Sequence, residues 1–464
     1  MASKNRYIKY IIISAIWLII WEAASLLIHN SILLTGPLEV LITLLEKCTT
    51  LSFWAIVGMS LLRIAIGFTI GSALGLLLGI LSYKWALVED FLKPLMAFLK
   101  AAPVASFVVL FLIWWHSDRL SVAVCICVVM PQIYVNFLQG LKNTDPLLLE
   151  MAYVYNMHPL NRYHFIYRPA VRPYLEGAVK IAATMAWKSS IAAEVIGTPA
   201  TTIGEALYMS KIYLDTSGVL AWTLAIIIIS VLCERLVLMA YRRYNDWVPS
   251  CVAASSQARA ANAKLQRAAV NMQGAHENVP STNEPVVVNG LCKSYESAEG
   301  AGANLVLDNY SASFEADSTN YLDWPSGEGK TTLLRILAGI TSADSGKISG
   351  LEGKSVAMLF QEDRLCEGYS AITNVAMVCG DENAARDILL MLLTDEDIYK
   401  PVAELSGGQK RRVAIARMLS VNADLLLVDE PYNGLDAKAR EGVRELIEEL
   451  GNGKIRIISS HISA

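Results

Sequence analysis

Long apolar stretches dominate the first half of the chain, and short apolar runs separated by polar residues dominate the second. A helix needs about 20 apolar residues to cross a bilayer. Six stretches meet that length, near residues 8–28, 53–81, 92–115, 119–140, 176–197 and 218–240. After residue 285 the apolar runs shorten to segments such as 425–428, which are typical of strands. The pattern predicts an α-helical, six-span membrane domain followed by an α/β domain.

The basic residues between these stretches predict the orientation of the spans. One face collects Lys4, Arg6, Lys9, Lys84, Lys93, Lys142, Arg162, Arg168, Arg172, Arg242 and Arg243, and the other only Lys47, Arg119 and Lys211. Cytoplasmic connections carry the excess of Lys and Arg. We therefore expect both termini in the cytoplasm. The first stretch has no clear small-residue cleavage site, which favours a retained helix over a signal peptide.

The composition agrees with a membrane domain and gives no sign of a nucleic-acid partner. Hydrophobic residues form 54% of the 464 residues, and the mean hydropathy is +0.40. The formal charge of -4 gives no basic excess for nucleic acid. The eight cysteines are scattered, so neither a metal cluster nor a disulfide framework is indicated.

The second apolar stretch carries glycines at four-residue spacing. Gly67, Gly71, Gly75 and Gly79 line one face of the predicted helix, which lets another helix approach closely. Two charged residues, Arg63 and Glu194, fall inside predicted spans, where exposure to lipid is costly. We expect both to face protein or water, in an ion pair or a helix cap, with a substrate contact as the alternative.

A glycine-rich loop in the second half has the residues needed to hold a triphosphate. Residues 324–332 (WPSGEGKTT) follow a strand-like segment and precede a helical one, which is the context of a phosphate-binding P-loop. Backbone N–H groups of such a turn can supply many donors at once. We expect nucleotide contacts from Ser326, Gly327, Gly329, Lys330, Thr331 and Thr332. Lys330 would reach the β- and γ-phosphates, and the Thr331 hydroxyl would ligate Mg²⁺.

An acidic pair follows the apolar run 425–428. Asp429 stands at the predicted strand end, where it would be the second group on the metal side. Glu430 comes next and would polarise the water that attacks the γ-phosphate.

Further motifs, in the same order along the chain, resemble the nucleotide-binding domain of ABC transporters over residues 285–464. By this resemblance Tyr295 stacks on adenine, and Gln361 contributes to catalysis and to Mg²⁺ binding. The signature segment 405–409 (LSGGQ) supplies Ser406, Gly407, Gly408 and Gln409 to the nucleotide, and Asp436 belongs to the D-loop. His461 contacts the γ-phosphate. The resemblance implies an α/β P-loop NTPase that uses ATP and Mg²⁺, with Glu430, His461 and Gln361 as catalytic residues.

Two features depart from the family pattern. Trp324 stands where the first glycine of the phosphate loop is usual, and a bulky indole there can strain the backbone or crowd the phosphates. The sequence also ends three residues after His461, where the family usually continues. We expect slower or less stable ATPase function than in a regular member, and a gain of turnover or affinity in a Trp324→Gly variant.

The first half resembles the permeases of ABC importers. Residues 150–156 (EMAYVYN) and 166–169 (IYRP) look like the Glu-Ala-Ala loop, whose coupling helix docks on the ATPase, although Met151 and Asn156 replace the usual Ala and Gly. The coupling residues would be Glu150, Ala152 and Pro169. Residues 182–199, 102–115 and 204–207 resemble the nitrate, sulfonate and taurine permeases, so the likeness covers residues 10–245.

These observations divide the chain into three parts. Residues 1–248 form the predicted permease domain with its coupling loop at about 141–172, residues 249–285 a polar linker, and residues 286–464 an ATP-binding domain shortened at its C-terminus. The family places the phosphate loop of one ATPase against the signature segment of another. Because this chain has one of each, we expect a homodimer.

The resemblance implies an importer in the bacterial plasma membrane, fed by an extracytoplasmic substrate-binding protein. Its solute would be a small organic anion such as a sulfonate or taurine, or nitrate, with a thiamine-precursor pyrimidine as the second choice. A half-size exporter would also have six spans and one ATPase, but it would lack the pattern at 150–169. A catalytically weakened ATPase that regulates or scaffolds a membrane complex is the third possibility, suggested by Trp324 and by the short segment after His461.

Overall fold

The computed structural model describes residues 2–30, 32–273, 284–296, 303–325 and 327–459. In chain order the helices are α1 (Ala2–Ile28), α2 (Pro37–Cys48), α3 (Leu51–Lys84), α4 (Ala86–Ala101), α5 (Val104–Trp114), α6 (Ser117–Lys142), α7 (Pro146–Val154), α8 (Pro159–Arg162), α9 (Arg168–Gly197), α10 (Ile203–Ile212), α11 (Thr216–Gln273), α12 (Lys330–Leu337), α13 (Ala371–Cys379), α14 (Glu382–Leu390), α15 (Gly407–Leu419) and α16 (Ala437–Leu450). The strands are β1 (Val286–Glu296), β2 (Ala303–Phe314), β3 (Thr319–Leu322), β4 (Ser345–Ser349), β5 (Val356–Leu359), β6 (Leu425–Asp429) and β7 (Ile455–Ser459).

The chain folds into two compact units. The helical unit comprises Met1–Asn143 and Ala170–Asp246, and the α/β unit comprises Thr144–Pro169 and Trp247–Ala464. The predicted coupling segment therefore packs with the α/β unit, although it lies within the first half of the chain. Helix α11 runs on to Gln273, so the first part of the predicted linker is helical.

Helices α3 and α6 pack closely along the glycine stripe of α3, which confirms the prediction. A Cβ atom on Gly67 would lie 2.6 Å from Cys125 Cβ, and one on Gly75 would lie 2.8 Å from the carbonyl oxygen of Met130. Side chains larger than hydrogen would push the two helices apart at these points. The stripe thus has a structural role in the helical unit.

Three helices among the described residues are long and apolar enough to cross a membrane: α3, α6 and the part of α11 over Thr216–Asp246. A fourth span results if α4 and α5 are counted together, but these two helices meet at an angle of 103° around Ala102 and Pro103. The structure therefore replaces the single helix predicted over 92–115 with a broken pair, because Pro103 begins a new helix. The total of six spans stays a prediction.

Both charged residues of the predicted spans have protein partners. Arg63 pairs with Asp118 across 3.3 Å. Glu194 is fully buried, and its Oε2 accepts hydrogen bonds from the Ser60 hydroxyl (2.8 Å) and from the backbone N–H of Gly204 in the first turn of α10 (3.3 Å). The expected ion pair and helix-cap contact are both present.

Two sheets build the α/β unit. Strands β2, β1 and β4 form an antiparallel sheet in that order, and the parallel sheet has the order β3-β7-β6-β5. Strand β6 is buried at all five positions, as the apolar run 425–428 predicts. Because ligands of parallel α/β sheets bind beyond the carboxyl ends of the strands, the loops after β3, β5, β6 and β7 are where the site residues should meet.

Candidate functional site

The phosphate loop leads from β3 into α12, as the sequence predicts. Gly327 and Gly329 have φ angles of +87° and +93°, which residues with a Cβ rarely adopt. A Cβ on Gly329 would also lie 2.8 Å from the carbonyl oxygen of Val306. These two positions require glycine for the backbone to turn into the helix.

Lys330 is the first residue of α12 and is 7% exposed. Its Nζ donates a hydrogen bond of 2.6 Å to the carbonyl oxygen of Trp324. The ammonium therefore lies against the same loop that would bind the phosphates. Thr331 and Thr332 follow in the first turn of the helix.

The Trp324 side chain packs against the antiparallel sheet. Its indole meets the ring of Tyr310 edge to face, with centroids 4.7 Å apart, and contacts the core of the α/β unit. Trp324 is not among the residues with positive φ. The φ angle of Trp324 therefore shows no sign of the backbone strain that was expected for a bulky residue at this position.

Asp429 ends β6 beside Ser459 of β7. The two residues are partners in the parallel register, and the buried Ser459 hydroxyl donates a hydrogen bond to Oδ1 of Asp429 at 2.5 Å. No described group donates a hydrogen bond to Oδ2 of Asp429, which is buried. Burial raises the pKa of Asp429, against the lowering effects of the Ser459 and Thr331 side chains.

These residues fit a magnesium ion held together with phosphates. Mg²⁺ is usually bound by one or two carboxylates plus phosphate oxygens rather than by an all-protein cage. The orphaned oxygen of Asp429 and the Thr331 hydroxyl beside it are oxygen ligands of that kind. The described residues contain no group of three or more His, Cys, Asp or Glu side chains that would hold a metal alone.

Glu430 follows Asp429 with a φ angle of +47°, which is uncommon for a residue other than glycine. Its backbone N–H donates hydrogen bonds to the carbonyl oxygen and hydroxyl of Ser459. Contacts of this kind hold a strained residue in place, and such residues concentrate at functional sites.

Arg411, on helix α15, links two of the loops and was not singled out by the sequence. Its side chain is 3% exposed and donates hydrogen bonds to the carbonyl oxygens of Asp429 (2.6 Å), Glu430 (2.8 Å) and Phe360 (2.7 Å). It also pairs with Asp363 across 3.1 Å. The exposed Gln361 lies between Phe360 and Asp363, so Arg411 connects the signature helix with both the Gln361 loop and the acidic pair.

The signature segment forms the N-terminus of α15. Ser406 is the N-cap, and its hydroxyl accepts a hydrogen bond from the backbone N–H of Gln409, whose side chain accepts one from the N–H of Ser406. The amide of Gln409 also donates to Asp397 at 2.8 Å. This capping box holds Ser406, Gly407 and Gly408 at the helix start, where Ser406 and Gly407 are exposed.

The remaining predicted nucleotide residues lie at two other places. Asp436 is the N-cap of α16, and its carboxylate accepts a hydrogen bond from the N–H of Ala439 at 2.8 Å. Tyr295 lies near the end of β1 with 41% of its surface exposed, and the ammonium of Lys293 lies 5.5 Å from its ring centre. Ser326 and His461 lie outside the described residues.

The coupling segment docks on the rest of the α/β unit through Glu150 of α7. Both carboxylate oxygens of Glu150 accept hydrogen bonds from Arg335 (2.7 and 3.0 Å), and Oε2 also accepts one from Arg364 (2.8 Å). Burial raises the pKa of Glu150, but the two arginines outweigh it, and the net shift is downward. Arg335 lies on α12, five residues after Lys330, and Arg364 lies three residues after Gln361.

Apolar and backbone contacts complete this docking surface. Met151 and Ala152 are fully buried in the core of the α/β unit. The Tyr155 hydroxyl donates a hydrogen bond of 2.7 Å to the carbonyl oxygen of Met358 in β5. Pro169, the third predicted coupling residue, is exposed at the second position of α9.

Comparison with known proteins bears on both halves of the chain. The family described as the inner membrane component of binding-protein-dependent transport systems matches residues 71–246, and the ABC transporter family matches residues 307–433. The chain therefore joins a domain of the permease family to a domain of the ABC transporter family. The helical unit contains most of the permease match, and the α/β unit contains the ATPase match.

Three similar proteins are import ATP-binding proteins by name. The taurine import ATP-binding protein of Pseudomonas aeruginosa is 39% identical over 141 residues, which are 27% of this chain and 53% of that protein. The sulfate/thiosulfate import ATP-binding protein of Vibrio vulnificus is 34% identical over 186 residues (36% and 52%). The Fe(3+) ions import ATP-binding protein of Pasteurella multocida is 35% identical over 189 residues (37% and 52%). The chain spans about half the length of these relatives.

Proposed function

We propose that this chain is the combined permease and ATPase subunit of an ATP-driven importer in the bacterial plasma membrane. Two copies would form two composite ATP sites, with Ser406 and Gly408 of one copy facing the nucleotide held by Lys330 of the other. An extracytoplasmic binding protein would deliver the solute. The names of the relatives, all of which are import proteins, support import over export.

The observation that carries this proposal is the contact of Glu150 with Arg335 on α12. Lys330 begins this helix, and Arg335 follows less than two turns later. A helix of eight residues moves as one body, so a displacement of its phosphate end would move Arg335 and with it Glu150. Glu150 thus lies where nucleotide binding in the α/β unit would be transmitted to the segment that continues into α9.

We infer that the nucleotide site would work through the following residues of the α/β unit. Thr331 and Asp429 would hold Mg²⁺, which when bound neutralises charge developing on the phosphates. Lys330 would exchange its bond to the Trp324 carbonyl for phosphate oxygens. Glu430, held by Ser459, would orient and polarise the attacking water, and Gln361 and His461 would complete the site.

A small anion such as a sulfonate, taurine or nitrate is the solute that we propose, and taurine and sulfate are named for two of the relatives. A pyrimidine precursor of thiamine is the second choice. A regulatory ATPase of low activity would be indicated instead if nucleotide binds but is not turned over.

Reconstitution into proteoliposomes tests the proposal. ATP hydrolysis is measured for the wild type, Glu430→Gln and Glu150→Gln. We expect Glu430→Gln to lose hydrolysis while it still binds ATP. We expect Glu150→Gln to hydrolyse ATP but to lose its response to the binding protein and to the proposed solute taurine. Equal hydrolysis by wild type and Glu430→Gln would refute the enzymatic role.

A further inference from the structure

A cavity of about 550 Å³ lies in the helical unit between α4 and α6, apart from the nucleotide site. Its α4 wall includes Glu89, Lys93, Met96, Ala97 and Lys100, and its α6 wall includes Tyr134, Val135, Leu138, Gln139 and Lys142. The spacing on each helix repeats at three, four and seven residues, so each wall is one helix face. The cavity is large enough for a small organic molecule.

The charges of this cavity are unbalanced. Glu89 is neutralised by Lys142, whose Nζ lies 2.6 Å from Oε1 and joins the two helices. Among the described residues, neither Lys93 nor Lys100 forms an ion pair or hydrogen bond through its ammonium. One carboxylate therefore faces three ammonium groups, which leaves a net charge of about two positive units in the wall.

The position of Lys100 strengthens this imbalance. It lies eleven residues beyond Glu89, which is roughly 16 Å along the helix axis and about half the thickness of a hydrocarbon core. An ammonium that far along the helix from Glu89 needs water, a counter-ion or a side chain that extends back to the membrane interface. The cavity lined by Lys100 offers room for the counter-ion.

The floor of the cavity is apolar. Met96, Tyr134 and Leu138 are at most 7% exposed and pack together with Leu92. The Tyr134 hydroxyl already bonds to Ser82 at 3.0 Å, so its ring faces the cavity as an apolar surface with its polar end satisfied. An occupant would therefore combine an anionic group for the lysines with a short apolar body for this floor.

We propose that this cavity binds a small organic anion, such as a sulfonate or carboxylate, between Lys93 and Lys100. The basic-residue pattern puts Glu89, Lys93 and Lys142 at the cytoplasmic end of the spans, so the cavity lies on the side where an imported solute leaves. The site adds a solute-binding position to the proposed function, and its identity as an exit site rests on that function. Anion binding itself requires neither ATP nor transport.

Equilibrium binding to the full-length chain in phosphatidylcholine nanodiscs tests the site. The probe is benzenesulfonate, and benzenesulfonamide is its neutral match in shape. We expect benzenesulfonate to bind more tightly by about ten-fold or more, since charge-assisted hydrogen bonds give a difference of that order. The preference should weaken as salt is raised.

The variant Lys93→Gln/Lys100→Gln should lose this preference, and Lys93→Arg/Lys100→Arg should keep most of it. Lys84→Gln is the matched control, because Lys84 ends α3 and does not line the cavity. A double glutamine variant that folds and still prefers the anion as the wild type does would overturn the proposal.

A phospholipid head group offers the same anionic chemistry, so binding is repeated in phosphatidylglycerol nanodiscs. Unchanged probe binding supports a soluble anion. If probe binding is lost, native mass spectrometry shows whether the lipid has taken the site. Phosphatidylglycerol retained by the wild type but not by the double glutamine variant supports the anion site with lipid as its source. Loss of import with retained anion binding would count against the proposed function and leave the site standing.

Discussion

The Ser459 hydroxyl donates a 2.5 Å hydrogen bond to Oδ1 of Asp429, across two neighbouring parallel strands. It also accepts a hydrogen bond from the backbone N–H of Glu430. One buried serine thus holds both members of the acidic pair. The proposed metal ligand and the proposed catalytic carboxylate depend on the same side chain.

Ser459→Ala should weaken Mg²⁺ binding and ATP hydrolysis together. Loss of a donor to a buried carboxylate is worth about 2 kcal/mol, and it should raise the pKa of Asp429 further. We expect the Mg²⁺ concentration for half-maximal ATP hydrolysis to rise by about thirty-fold. Ser459→Thr keeps the hydroxyl and is the control. Mg²⁺ dependence like that of the wild type in the alanine variant would contradict this role.

Ser406→Asp separates the two roles expected of Ser406. Asp caps a helix about as well as Ser, so the thermal unfolding midpoint should stay near that of the wild type. A carboxylate facing the γ-phosphate of a second copy should abolish most ATP turnover through like-charge repulsion. Ser406→Ala should instead destabilise by about 1 kcal/mol through loss of the cap. Full turnover by the aspartate variant would argue against the composite site.

The docking of Glu150 should depend on pH. Its pKa in the folded protein is lowered, so its contribution to stability is complete above about 4.5, the ordinary value, and is lost as the pH falls through the folded value. At pH 7 Glu150→Gln should destabilise the α/β unit by about 2 kcal/mol, because Arg364 stays buried with weaker partners. The thermal unfolding midpoints of the wild type and of Glu150→Gln should therefore come closer together below pH 4.5.

Glu362→Gln provides the control for that experiment. Glu362 pairs with the same Arg364 across 3.4 Å, but its side chain is 59% exposed. Exposed ion pairs contribute little to stability, so this variant should unfold close to the wild type at every pH. An equal loss in both variants would mean that burial of Glu150 is irrelevant.

Trp324→Gly should lower stability without raising ATP turnover. The indole packs on Tyr310, and its removal should destabilise the α/β unit by about 2–3 kcal/mol. Trp324→Phe keeps an aromatic contact and should lose less. Faster hydrolysis in the glycine variant would restore the sequence-based view that the indole crowds the phosphates.

Two glycines of α3 make a matched pair for the helical unit. A methyl group on Gly75 would meet the Met130 carbonyl at 2.8 Å, whereas one on Gly58 would meet nothing within 4 Å. Gly75→Ala should destabilise by about 1–3 kcal/mol through overpacking, and Gly58→Ala should be neutral or slightly stabilising. Thermal unfolding in detergent distinguishes them, and equal midpoints would refute the close-packing role.

The sequence predicted the features that follow from regular residue spacing or from a backbone conformation that requires glycine. Glycine spacing predicted the approach of α3 to α6, and the phosphate loop and the buried strand β6 stand where their patterns place them. These signals are local. Hydropathy alone missed the break between α4 and α5, because an average over the window hides the effect of Pro103 on the chain direction.

The contacts that tie distant segments together could not be predicted in this way. Ser459 and Arg411 look like ordinary strand and helix residues, and they gain their roles only when β7 lies beside β6 and α15 lies beneath both loops. In the sequence, Lys93 served only as an indicator of orientation, and Lys100 was not singled out. Their shared cavity exists because α4 and α6 present matching faces.

Thr144–Pro169 packs with the rest of the α/β unit, although it lies in the first half of the chain. This packing changes the role of the polypeptide link after Asp246. The ion pairs of Glu150 and the buried Met151, Ala152 and Tyr155 would hold these pieces together even if that link were cut. The link then acts mainly by keeping the two parts on one chain, which raises their effective concentration. Fusion thereby fixes a one-to-one ratio of permease to ATPase at synthesis, while the specificity of their pairing stays in the docking surface.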